Sequence, residues 1–177
     1  MSVLSVLTEE HDLLTRFVKK LRWDEPVRQE TAKRMHGDLL AFFCALERHE
    51  EFEDMIFAGP AGPAVEPGRL KKELAAEHRR FSELRAEIVK ALDAAQGKTL
   101  KPLKPRVDAL TDHLTDYFRW EEERLWPCRR PSDDPAVEKA IEASARPRLD
   151  KLIDEVAACG VWLSDAPDSP DLPGQWR

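Results

Sequence analysis

An all-α fold is what this sequence predicts, and three observations predict it. Apolar residues recur at alternating steps of three and four in four separate segments, the pattern of helices that each bury one face in a bundle. Charged residues make up 35% of the chain, which suits long solvated helices. Glycines number only seven in 177 residues, too few for a fold built on turns and strands. A chain of this length fits one domain of roughly 100 to 200 residues with a single core.

The first helix covers about residues 3 to 22 and carries Leu4, Leu7, Leu14, Val18 and Leu21 on one face, with Glu9 and Glu10 early in the run. The second, about 27 to 57, follows Pro26, whose missing N–H costs nothing in a first turn. It places Met35, Leu39, Phe42, Leu46 and Ile56 on its seam. The loop AGPAGPAVEPG, with three prolines and three glycines, then stops it. The third, about 68 to 95, carries Leu70, Leu74, Phe81, Leu84, Ile88 and Leu92 and ends near Gly97. The fourth, about 102 to 126, carries Leu103, Val107, Leu110, Leu114 and Leu125 and ends at Pro127. Beyond RRPSDDP a fifth helical stretch, about 134 to 159, contains Pro147, which is expected to kink or split it. The tail SDAPDSPDLPGQWR is expected to be irregular, with Trp162 and Trp176 as anchors. Residues 1–130 thus form the four-helix unit, and residues 131–177 add a helix and tail packed on the same domain.

Composition excludes several functions. With 28 basic and 34 acidic residues the formal net charge is −6, and no basic stripe offers a surface for nucleic acid. No window approaches the roughly 18 apolar residues of a membrane span, and the first residues lack the basic and apolar regions of a secretion signal, so a cytoplasmic location is expected. Cys44, Cys128 and Cys159 are odd in number and far apart, which argues against a disulfide framework or a thiolate zinc site.

The informative residues are polar ones at apolar phases. His11 lies between Leu7 and Leu14, His49 and Glu53 lie between Leu46 and Ile56, and His78 lies between Leu74 and Phe81. Tyr117 and Glu121 follow Leu114. A buried imidazole or carboxylate needs a hydrogen-bond partner or a metal. The positions also repeat: a shift of 67 lays Leu7, His11 and Leu14 onto Leu74, His78 and Phe81, and a shift of 68 lays Leu46, His49 and Glu53 onto Leu114, Tyr117 and Glu121. The chain reads as two similar helical hairpins. Each offers one ligand from its first helix and two, four residues apart on one face, from its second. Nitrogen and carboxylate donors projecting inward from four helices suit a dinuclear iron or, less well, manganese centre. Calcium sites want no imidazole, and structural zinc uses four ligands where six are on offer.

The segments EEHDLL, RHEEFEDMIF, AEHRRF and YFRWEEERLWP, within about residues 5 to 127, resemble the hemerythrin-like, or HHE cation-binding, family. The resemblance implies an up-down-up-down four-helix bundle around two iron ions joined by an oxo or hydroxo bridge. It assigns His11, His49, Glu53, His78 and Glu121 as ligands, with the glutamates bridging. Tyr117 stands where the family has histidine. Tyr117 is the favoured ligand because it holds the phase of His49, with His113 as the substitute one turn earlier; in a third case neither ligates, and Tyr117 only packs with its hydroxyl on a carboxylate. His113 lies about 40° off that phase and about 6 Å along the axis. His36 falls off the seam and is expected at the surface. Glu50, Glu51, Glu122 and Glu123 exceed what a site needs and are expected in solvent or behind the ligands. Trp120 and Trp126 are expected to pack, and Phe42, Leu46, Phe81, Leu110 and Leu114 to line the pocket.

A phenolate is a harder, anionic donor than imidazole and favours ferric iron. That preference argues against reversible oxygen carriage and for reaction with hydrogen peroxide, a catalase-like disproportionation. Tyr117 and, for proton handling, His113 are the candidate catalytic residues. The competing expectation is a protein that binds, senses or stores dioxygen, nitric oxide or iron without turnover, and signals through the segment after Pro127. A third reading is an interaction bundle without metal.

Overall fold

The computed structural model describes residues 2–22, 29–58, 67–95 and 101–159. They form five α-helices, α1 (Val3–Lys20), α2 (Gln29–Glu53), α3 (Pro67–Ala95), α4 (Lys104–Trp120) and α5 (Pro135–Ala158), with no strand among the described residues. Local chemistry sets their starts. The Ser2 side chain accepts the Ser5 N–H at 3.1 Å and caps α1, and Asp134 accepts the Ala136 N–H at 2.8 Å to cap α5, each satisfying a donor that has no partner inside the helix. Pro135 follows as the first residue of α5, where proline is tolerated.

Helix α1 packs on α2, α4 and α5; α2 also packs on α3 and α5; and α3 packs on α4. The contacts among α1 to α4 close a ring, and its inside is the core. Leu7, Leu14, Val18, Leu39, Phe42, Leu74, Phe81, Ile88, Leu110 and Leu114 are all buried there. These are residues at the three-and-four spacing, so the seam is what the ring closes on. No helix among the described residues is long and apolar enough to cross a membrane.

Three departures from expectation concern backbone. Helix α5 runs unbroken through Pro147, although proline removes the N–H that would bond the carbonyl of residue 143. Ile141 and Ala145 before it and Leu149, Leu152 and Val156 after it are all buried, and that burial outweighs one lost backbone bond. The ends of α2 and α4 also widen: Asp54–Ala58 and Glu121–Leu125 are π-helical turns, each beginning beside a glutamate of the repeat. Such turns gather at functional sites. Finally, Pro127 falls inside a single tight 3-10 turn, Trp126–Cys128, and does not itself end the fourth segment. Pro26, Gly97, most of the loop after α2, and the tail with Trp162 and Trp176 lie outside the described residues.

Candidate metal centre

The seam residues of three helical segments meet at one point. His11 comes from α1, His49 and Glu53 from consecutive turns of α2, and Glu121 from the π-helical turn after α4. One donor atom from each lies within 4.8 Å of the others. Exposure is 3% at His11, 1% at His49 and zero at both glutamates, so bulk water cannot satisfy them. His11 Nε2 stands 3.2 Å from Glu121 Oε2 and His49 Nε2 3.5 Å from Glu53 Oε1. Yet His11 Nε2, His49 Nε2, Glu53 Oε1 and both Glu121 oxygens have no hydrogen-bond partner. Unpartnered polar atoms at this depth are costly, and their convergence marks a place where something else satisfies them.

Tyr117 and His78 adjoin this group. The Tyr117 hydroxyl donates to Glu53 Oε2 at 3.0 Å, and His78 Nε2 lies 3.0 Å from the same hydroxyl and 3.5 Å from Glu53 Oε2. Tyr117 is buried, with its ring 5.1 Å from Phe81 and 6.0 Å from Trp120. His113, by contrast, is turned to α3: its Nε2 lies 3.0 Å from Glu77 Oε2 and its ring packs at 4.8 Å on Phe81. His36 is half-buried farther back on α2, and the three cysteines are free, with none buried.

Behind the ligand atoms stands a row of carboxylates. The His49 Nδ1–H donates to Glu10 Oε2 at 2.8 Å, and the His11 Nδ1–H donates to Glu122 Oε1 at 2.8 Å. His78 Nδ1 lies 3.5 Å from Asp54 Oδ1. Each carboxylate takes the Nδ1 side and leaves Nε2 for the centre, the arrangement that fixes tautomer and ring direction in metal-binding histidines. These partners obey the same internal repeat. The shift of 68 that carries Glu53 onto Glu121 carries Asp54 onto Glu122, and the shift of 67 carries Glu10 onto Glu77. Glu10, Asp54 and Glu77 were not foreseen as partners, and Glu122 was placed there only as one possibility. Glu10 carried a signal, since it stands three residues after Leu7 and four before Leu14, on the seam itself.

Aromatic rings close the site on the α1 side. Phe118 stacks on His11 at 3.8 Å and Trp126 lies 4.8 Å from it, so Trp126 is a packing group as its position suggested.

Charges in the cluster are mutually dependent. Burial and the neighbouring His49 pull the His11 imidazole down to about 2. Burial also opposes protonation of His49 and His78, but Glu53 and their Nδ1-side carboxylates outweigh it and raise both. Burial and the charge of Glu53 push the Glu121 carboxyl well up. Glu53 is held down at about 2 because His49 and His78 overcome its burial. Only one of the two carboxylates is therefore comfortable as an anion. Tyr117 is raised well above the ordinary phenol value by burial and by Glu53 and Glu121. Glu50, half-buried next to His49 with Oε1 unpartnered, is pushed up to about 7 by burial, partly opposed by His78 and His49.

This donor set fits a metal ion. Two ring nitrogens without a hydrogen-bond partner face two carboxylates that cannot both be charged in a dry site without a cation, so the group His11, His49, Glu53 and Glu121 could hold one. Behind His49, a cavity of about 290 Å³ opens between α2 and α5, reaching Glu10, Arg48, His49 and Arg148. Comparison of the chain with family models, with curated proteins and with solved structures gave no match.

Proposed function

We propose that the chain is a hemerythrin-like protein in which α1 to α4 form an up-down-up-down bundle around two iron ions, and that it consumes hydrogen peroxide. The observation that carries this reading is the buried, unpartnered set of His11 Nε2, His49 Nε2, Glu53 Oε1 and Glu121 carboxylate oxygens. His78 and Tyr117 adjoin it and supply the donors for a second ion. The mixture of imidazole, carboxylate and phenol oxygen favours iron over calcium or structural zinc.

His11 and His49 would hold one ion, His78 and Tyr117 the other, with Glu53 and Glu121 between them. Bound iron would supply a redox couple and a Lewis-acidic position for a small oxygen species. The protein's own part is to aim and to exclude. Glu10, Glu122 and Asp54 hold the Nδ1 side of the three histidines and so direct Nε2 inward. Phe118 and Trp126 cover His11 and keep bulk water from it. Tyr117 Oη, which donates to Glu53 Oε2, would have to give up that hydrogen bond and its proton for the oxygen to act as a donor. His113 holds Glu77 on the α3 side, one turn before Tyr117.

The test is iron content and oxygen evolution. Purified, iron-loaded protein should hold about two irons per chain and evolve oxygen from hydrogen peroxide faster than the same concentration of free iron. A rate equal to free iron removes the enzymatic reading, and protein that retains no metal after purification without chelator removes the centre.

One observation favours the second reading, a sensor or store for dioxygen, nitric oxide or iron. Helix α5 is fastened to α2 next to His49: Arg148 donates to the Arg48 carbonyl, Arg48 pairs with Glu155, and the Arg148 guanidinium lies 4.5 Å over Phe52. A change at His49 would reach α5 through one residue. Metal-loaded protein that binds nitric oxide and shifts protease cleavage in α5, without oxygen evolution, would select this reading.

A further inference from the structure

The two halves of the centre are not equally prepared. In the half built on His11 and His49, both rings are almost fully buried and both Nδ1–H groups donate to carboxylates at 2.8 Å. Their Nε2 atoms and both glutamates already lie within one 4.8 Å group. In the other half, His78 is 12% exposed and its Nδ1 stands 3.5 Å from Asp54, which is itself 55% exposed. Its second donor, the Tyr117 oxygen, is engaged as a hydrogen-bond donor to Glu53. The second half must therefore break a hydrogen bond and draw in an imidazole that is loosely held, whereas the donor atoms of the first half already converge.

From this asymmetry we infer that the centre fills in order: one divalent cation binds first at His11, His49, Glu53 and Glu121, and a second binds more weakly at His78 and Tyr117. The protein therefore has a stable one-metal form. The inference rests on the dinuclear reading above and goes beyond it by making the two positions separable. Preassembly sets the direction of the difference: ligands that lose less freedom on binding bind tighter, and a well-formed outer hydrogen bond to a ligating histidine is worth about tenfold to a hundredfold in metal affinity. It also means that mixed-metal forms can be made, because the second position can be left empty and then filled with a different ion.

Stepwise titration of the metal-free, full-length protein with Co(II) tests this, read by calorimetry and by the visible d–d bands that report each cobalt environment. Two resolved steps are expected, the first at least about tenfold tighter than the second. His78→Ala should keep the first step with its bands and lose the second. Two exposed outer residues give milder variants that do not disturb the core: Glu122→Gln should weaken only the first step, and Asp54→Asn only the second. Two cobalt ions that bind in a single unresolved step, weakened alike by Glu122→Gln and Asp54→Asn, overturn ordered filling and leave the dinuclear reading standing. One cobalt ion per chain, kept in His78→Ala, supports the first position and overturns the dinuclear reading. No cobalt bound at micromolar concentration overturns both.

Discussion

The Nδ1–H of His49 donates to the carboxylate of Glu10 across 2.8 Å, with both side chains shut away from water. A buried carboxylate in that position fixes the tautomer, raises the basicity of Nε2 and resists rotation of the ring. Glu10→Gln keeps the shape and an acceptor oxygen but removes the charge. Iron affinity, measured by competition with a chelator of known strength, should fall about tenfold or more. An unchanged affinity would mean that Glu10 only fills space.

Tyr117 should determine the colour of the ferric protein. A phenolate on ferric iron gives an intense visible charge-transfer band, which a site of histidines and carboxylates alone lacks. Tyr117→Phe should abolish the band while one or more irons remain bound. Persistence of the band in that variant would show that the oxygen of Tyr117 is not a ligand.

Metal binding should release protons, and release more of them as the pH falls. His49 and His78 are raised by their carboxylate neighbours against the opposing effect of burial, so in the metal-free protein they hold protons to higher pH than a free imidazole. Only the neutral rings can ligate. Glu121 and Tyr117 are both raised by burial and by Glu53, so metal binding draws protons from them as well. Calorimetric titrations in buffers of different ionisation enthalpy should show more protons displaced at about pH 6 than at about pH 8, with weaker metal affinity at the lower pH.

The start of α5 should contribute to acid sensitivity independently of the metal site. Burial alone would raise the Glu138 carboxyl, but hydrogen bonds from Arg129 at 2.6 Å and from the Ser132 N–H at 3.0 Å outweigh it and hold the group below its ordinary value. A depressed folded value means stability that is complete above the unfolded carboxylate value of about 4.3 and is lost as pH falls through the folded one. Glu138→Gln should therefore lower the melting temperature at about pH 7 and make no difference at about pH 2.5. An equal loss at both pH values would point to packing instead of charge.

Leu149, on α5, is fully buried against the rest of the core. Truncation to alanine should cost about 2 to 5 kcal/mol. If α5 belongs to the same cooperative unit, chemical denaturation should remain a single transition moved to lower denaturant. A separate early transition for α5, followed by protease cleavage after residue 134, would make it an appended element.

What the sequence made legible was whatever repeats with the helix. The seam from Leu7 to Leu114 and the polar interruptions at His11, His49, Glu53 and Glu121 could be read because burial on one face imposes a spacing, and the structure buries them together. The outer carboxylates were harder. Asp54 and Glu122 sit in acidic runs where nothing local separates a partner from a solvated neighbour, and only the pairing of distant helices selects them, whereas Glu77 stands on the seam between Leu74 and Phe81. Glu10 was on the seam and could have been recognised by phase. The π-helical turns after Glu53 and at Glu121 have no sequence spacing of their own, since they depend on which carbonyl each N–H finds in the assembled core. Pro147 does not split α5, because Ile141, Leu149 and Leu152 are buried by contacts decided elsewhere in the chain.

Glu77 stands in the second hairpin where Glu10 stands in the first, and it pairs there with His113 one turn before Tyr117. In the genetic code every tyrosine codon is one base away from a histidine codon. A single point mutation therefore suffices to give both hairpins the same donors, with the supporting carboxylate already encoded.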